Sequence, residues 1–195
     1  MFREGVGLLL VFCFLAGLTP DIANAEGAKS LFFYGGIPSL LATKNSFYIR
    51  VNDEVTGGCL PNPETLKDKM EVSLRRNNFG IDKEGGVFGA EIVINALGYK
   101  AAYSCVVHVS INLVFYAPIK VPFTGDMKGG GTTLVPYVYA VHQHLLSGSD
   151  MQNRVEKSVS TGADTLFLNI SRARDETFTE FPEIEAGWEK SLKAN

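Results

Sequence analysis

The stretch from Ser104 to Phe115 constrains this chain more than any other. Cys105, Val107, Val109, Ile111, Leu113 and Phe115 form an unbroken apolar parity, while Ser104, Val106, His108, Ser110, Asn112 and Val114 form a mixed, mostly polar one. Strand side chains point alternately to two faces, so this pattern is a half-buried strand with one face on a core. The rest of the chain must supply neighbouring strands and an apolar layer to cover that face.

The flanking sequence offers both. Phe47, Ile49 and Val51 alternate with Tyr48, Arg50 and Asn52, which predicts a strand over 47–52. Residues 90–99 are apolar on both parities, as in a central strand, and Gly98 to Ala102 turns the chain into the 103–116 strand as a hairpin. Val135, Tyr137, Tyr139 and Val141 recur at period 2 around Pro136, which favours a strand over 132–142 and opposes a helix interior.

Two amphipathic helices complete the set. Asn62, Pro63 and Glu64 read as N-cap, first helical residue and first-turn acid of a helix over 62–78. Leu66, Met70 and Leu74 are its core stripe, and Arg75 and Arg76 suit its C-terminal dipole. Ser149 and Gln152 read as a capping box opening a second helix over 149–174, with Val155, Val159, Ala163, Leu166, Phe167 and Ile170 on its apolar face. The order β-α-β-β-β-α predicts an α+β fold: a two-layer, antiparallel-rich sheet of about four strands with two helices on one face.

The N-terminus reads as a targeting segment. Arg3 precedes the apolar run Val6 to Leu18, and Ala23-Asn24-Ala25 supplies small residues for cleavage before Glu26. The run is short for a membrane span, and Cys13 lacks the small-residue context of lipidation. The expected organisation is a cleaved signal over 1–25, a single domain over 26–174, and an acidic tail or short amphipathic helix over 175–195. No later run reaches spanning length, so no stable membrane span is expected after cleavage. The apolar clusters Leu31 to Tyr34 and Ile37 to Leu41 are expected to finish the core rather than meet a partner.

Cleavage leaves Cys59 and Cys105. An even pair in an oxidising compartment predicts a disulfide, worth about 4 kcal/mol at most for a loop this long. The formal net charge of −3 gives no reason to expect a nucleic-acid partner.

Motifs for chemistry are sparse. Lys128 precedes Gly129-Gly130-Gly131 instead of following them, which is the wrong order for a phosphate-binding loop. There is no Gly-x-Ser-x-Gly elbow, and Ser110 shares a strand face with His108 without a third group to orient a base. No pair of carboxylates stands out as glycosidase-like. The sequon Asn169-Ile170-Ser171 falls in the second helix's apolar stripe and reads as chance.

The histidines are the exception. If strands 103–116 and 132–142 pair around a loop centred near Gly125, His108 lies opposite His142, with His144 two positions on. All three would meet on the sheet's outer face, with Ser110, Asn112 and Asp150 near, as a zinc or copper site. No other cofactor is expected. In the tail, Ile184, Trp188 and Leu192 share one helical face; the segment is expected to dock on its own domain or to fray, with docking on a protein partner as the alternative.

The reading that follows is an exported domain, periplasmic or secreted. It would be non-catalytic and would bind a protein or another envelope component through the face around His108 or the segment around Trp188. The alternative is a metal-dependent or hydrolytic exported enzyme built on His108, His142 and His144. A small-molecule carrier would need an apolar cavity.

Overall fold

The computed structural model describes residues 41–86, 89–121 and 131–194. The predicted signal, the apolar clusters over 31–40 and the glycine-rich loop over 122–130 lie outside the described residues. The elements run β1 (Ser46–Val55), α1 (Glu64–Arg76), β2 (Gly80–Ile81), β3 (Ala90–Ala101), β4 (Ser104–Val121), β5 (Gly131–Gly148), α2 (Met151–Glu180) and α3 (Pro182–Ala194). The sheet order is β2-β1-β3-β4-β5.

The architecture is α+β, with helices packed on the sheet as the periodicities require. The sheet is mixed and has five strands. β3–β4 and β4–β5 are antiparallel, but β1 pairs in parallel with β3. α1 is the crossover that returns the chain beside β1 as the parallel strand β2, and β3 then runs in the same direction on β1's other side. The fifth strand, β2, is two residues long and follows directly from the end of α1.

β4 lies second from one edge, and its apolar parity is the floor of the core. Val107, Val109, Ile111 and Leu113 are fully buried, beside Ile92 and Ile94 of β3. Leu66, Met70 and Leu74 of α1 and Val155, Val159, Leu166 and Ile170 of α2 cover them. Truncating any one of these to alanine would cost about 2–5 kcal/mol, so strict alternation in β4 and helical spacing in α1 and α2 select this arrangement together.

Two helix ends differ from expectation in informative ways. α1 has Pro63 rather than Asn62 at its N-cap, with no side-chain cap bond. Gln152 of α2 reaches across instead. Its amide donates to the Asn62 carbonyl (3.1 Å) and its oxygen accepts from the Asn62 N–H (3.2 Å). The same amide donates to Thr65 Oγ1 and to Glu156 Oε1, 2.8 Å each. Those contacts, with Lys69, hold the Glu156 carboxyl below its ordinary range, the Gln152 bond first among the causes. The capping box does not form: Gln152 secures another helix rather than its own. α1 ends in a Schellman turn, with Asn78 at a positive φ of 62°, Phe79 N–H on Leu74 O and Asn78 N–H on Arg75 O. The turn drives Phe79 inward against Phe47 and Phe167.

The disulfide Cys59–Cys105 forms, tying the loop before α1 to the start of β4 across 46 positions, with the Cα atoms 5.7 Å apart. At the other end of α2's contact, Gly162 lies directly on the sheet. A Cβ there would collide with Ile111 Cδ1 and come within 3.0 Å of His142 Cβ. Ile111 is fully buried and cannot swing away.

Two measurements probe these joints. Replacing Cys59 and Cys105 together by serine should lower stability by about 2–4 kcal/mol in urea denaturation; an unchanged midpoint would mean the bridge constrains nothing. Gly162→Ala should cost about 1–3 kcal/mol by overpacking, against a few tenths or a gain if the helix had room for a methyl group.

Candidate functional site

The pairing of β4 with β5 decides where the histidines go. From the loop to Asn112 the register pairs Phe115 with Tyr137, Leu113 with Tyr139 and Asn112 with Ala140. It then shifts: Ile111 pairs with His142, Val109 with His144 and His108 with Leu145. Val141 is the extra residue of a β-bulge. Directly paired residues share a face, and one extra residue exchanges the faces of everything beyond it. His142 and His144 therefore point inward with Ile111 and Val109, toward α2.

This corrects the expected three-histidine site. His108 stays on the outer face, between Leu97 of β3 and Leu145 of β5. Ser110 and Asn112, expected near the site, belong to an outer-face ladder. Asn52 Nδ2 donates to Asn95 Oδ1 at 2.8 Å, and Asn95 and Asn112 both donate to Ser110 Oγ at 3.3 and 3.4 Å. Asp150 is the N-cap residue of α2 and accepts from Asn153. Among the described residues, no three His, Cys, Asp or Glu side chains are grouped to hold a metal ion.

What the bulge does create is a groove between β5 and α2. It has a volume of about 290 Å³ and is lined by His142, His144, Leu146, Arg154, Lys157, Ser158 and Thr161. The α2 contributors are spaced i, i+3, i+4 and i+7, one face of a helix. Ser158 is 4% exposed, and its hydroxyl sits between the two imidazoles, 3.1 Å from His142 Nε2 and 3.5 Å from His144 Nδ1. The rings stand edge to face, 5.7 Å apart. A hydroxyl carries one proton, so Ser158 can donate to one ring while accepting from the other, which locks the pair.

The groove's electrostatics are one-sided. Among the described residues no acidic side chain lines it. Elsewhere the basic side chains Arg50, Lys69, Arg75 and Arg76 are each paired with a carboxylate. Among the described residues Arg154 and Lys157 make no ion pair; Arg154 donates to the Ser147 carbonyl instead. Burial, and then the neighbouring His144, push the His142 imidazole below its ordinary range. A unit charge about 6 Å from a groove-bound ion contributes about 3 kcal/mol at an effective dielectric near 20, less with solvent on the open side. Two such charges oppose a divalent cation and favour an anion, so the lining suits an anion better than zinc or copper.

A smaller cleft of about 210 Å³ lies beside Tyr48, Asp82, Glu84, Glu91 and Tyr116. Its Glu91 is already neutralised by Arg50 at 2.7 Å.

The tail residues offered as an alternative docking face for a partner pack within the chain. α3 follows α2 after a break at Phe181. Trp188 faces its own domain, where its indole N–H donates to Asn45 Oδ1 at 3.0 Å and its ring packs on Phe178. The Arg174 guanidinium lies 4.6 Å from the centre of the Trp188 ring and donates to the Ala42 and Lys44 carbonyls. Ile184 is half-buried, and the Leu192 side chain lies outside the described residues. The docking expectation thus loses its central residue to a contact within the chain.

Sequence reasoning missed Arg154, Lys157, Ser158 and Thr161 because it read α2 by its apolar stripe and gave these four positions no role. The sequence carries no signal for the change of face: Leu145 and Leu146 offer an apolar residue on either parity, and only the fold selects Leu146 for burial.

Comparison with known proteins adds little to this geometry. No family model matches the chain, and no curated protein matches it. Solved structures with similar segments include the PelC dodecamer from Paraburkholderia phytofirmans (11% identity, covering 64% of this chain and 87% of that one, TM-score 0.36). They also include a minor lipoprotein from Acinetobacter baumannii (11%, 67% and 92%, 0.30) and a lipoprotein from Caulobacter crescentus (11%, 69% and 91%, 0.25). Likenesses of this size leave the function to be argued from the chain's own residues.

The lowered His142 pKa has a consequence for stability. A histidine whose folded pKa lies below its unfolded value of 6.5 binds more protons unfolded than folded. Its contribution is present above that pH and is lost as the pH falls through it toward the folded value. Urea midpoints should therefore drop on acidification below about pH 6.5, and His142→Gln should flatten that drop. An identical pH profile in the variant would contradict the assignment.

Proposed function

We propose that this is an exported, disulfide-bonded domain that acts by binding, and that the groove between β5 and α2 receives an anionic group of its ligand. The observation that carries this is the lining: two histidines, Arg154, Lys157 and two hydroxyls, with no carboxylate among the described residues. Export is supported by the signal-like segment before Glu26 and by the bridged pair Cys59 and Cys105. The division of labour follows from position. The cations supply attraction, the Ser158 and Thr161 hydroxyls supply directed hydrogen bonds, and His142 and His144 form the strand-side wall.

The test is a titration with inorganic phosphate and with glutarate, followed through the imidazole NMR signals of His142 and His144. Both signals should shift at low salt, with His108 unmoved. Lys157→Gln should weaken the response by about three- to tenfold, as expected for a partly screened charge-assisted contact. If neither anion moves the two imidazoles, the reading fails.

A further inference from the structure

We infer that the ligand of this groove is an extended acidic peptide segment that adds to the sheet as a strand beside residues 142–146 of β5, with carboxylates at alternating positions entering the groove. This rests on the anion-binding reading above and adds the class of partner and its conformation. Three observations carry it.

First, β5 is the sheet's edge: β4 is its one strand partner among the described residues. An edge strand presents unpaired N–H and C=O groups that can template another strand. Secondly, the stretch 142–146 is an uninterrupted length of this edge that is bounded on both sides. Pro136 and the bulge at Val141 interrupt it on one side, and both are devices that discourage pairing. On the other side, Arg154 occupies the Ser147 carbonyl. What remains is about 17 Å of regular strand at 3.4 Å per residue.

Thirdly, the groove opens along that same segment. His142 and His144 point into it from the strand, while Arg154, Lys157 and Thr161 reach it from α2. A strand added about 4.8 Å beyond β5 would send every second side chain to the inner face, beside the histidines and under the flank of α2. The helix side of the groove runs from Arg154 to Thr161, about 10 Å at 1.5 Å per residue. That length accepts two inward side chains about 7 Å apart. Charge complementarity makes them acidic, so the ligand pattern is acid-x-acid in an extended segment. Main-chain bonds would supply affinity and the groove specificity, as in other cases of strand addition.

The probes are a capped pentapeptide with glutamates at its second and fourth positions among threonines and valines, its isomer with the glutamates adjacent, and a backbone N-methylated form of the first. Glutarate serves as the bare anion. The alternating peptide should bind and protect amides within 142–146 from hydrogen exchange. The adjacent isomer and the N-methylated form should each bind about tenfold more weakly, the equivalent of one or two lost hydrogen bonds. Lys157→Gln should weaken the alternating peptide and glutarate alike. If all three peptides bind equally well and glutarate still shifts His142 and His144, strand addition is wrong while anion binding stands. If neither glutarate nor any peptide binds, both readings fall.

Discussion

The structure depends on one row of side chains. Val107, Val109, Ile111, Leu113 and Phe115 of β4 belong to one buried cluster with the strands beside them and the helix layer above. α2 comes so close to this row that a residue on its inner surface, Gly162, has no space for a methyl group. The close approach brings Ser158, one turn earlier on the helix, within hydrogen-bonding distance of both His142 and His144. A core contact between Gly162 and Ile111 thereby sets the geometry of a polar site one turn away. Packing and function share a joint here, which is why a small overpacking change would be felt in both.

Much of the fold was legible in the sequence because its signals were redundant. β4 declares itself by alternation, α1 by Leu66, Met70 and Leu74, and α2 by a stripe from Val155 to Ile170. Each agrees with its neighbours, as consistent local choices should in a foldable chain. The parallel pairing of β1 with β3 was less visible, since periodicity identifies a strand but not its direction. β2 is too short to show any period. The helix α3 and the length of α2 depend on contacts between Trp188, Arg174 and Asn45 that are remote in sequence.

The candidate site was legible only in part, and the reason is specific. Pairing arithmetic brought β5 histidines to β4 correctly in outline, but one inserted residue reversed the faces. A β-bulge needs no glycine or proline to mark it; Val141 is an ordinary strand residue. The three histidines were therefore expected together, whereas the chain separates His108 from His142 and His144 by the thickness of the sheet. The site that replaces the triad draws on α2 residues that lie outside the apolar stripe by which that helix is read. Arg154 and Lys157 resemble Arg75 and Arg76 in sequence. They differ in structure because Arg75 and Arg76 have carboxylates to neutralise them, whereas among the described residues Arg154 and Lys157 make no ion pair.

That difference bears on why the edge of β5 is finished so unevenly. An edge strand is a hazard, and proteins usually blunt all of it with proline, bulges, charge or a covering element. Here the proline and the bulge protect the first part of β5 and Arg154 closes the end, while the interval from 142 to 146 keeps a regular backbone. Lysine on an edge usually discourages other strands, and Lys157 of α2, which lines the groove beside the open interval, opposes a basic segment there. For an acidic segment the same charge is attractive. A single residue can thus protect the edge against general aggregation and admit one class of partner, which is specificity achieved by excluding the others. The bulge contributes to both functions as well: it breaks the edge at Val141 and turns the two histidines into the groove.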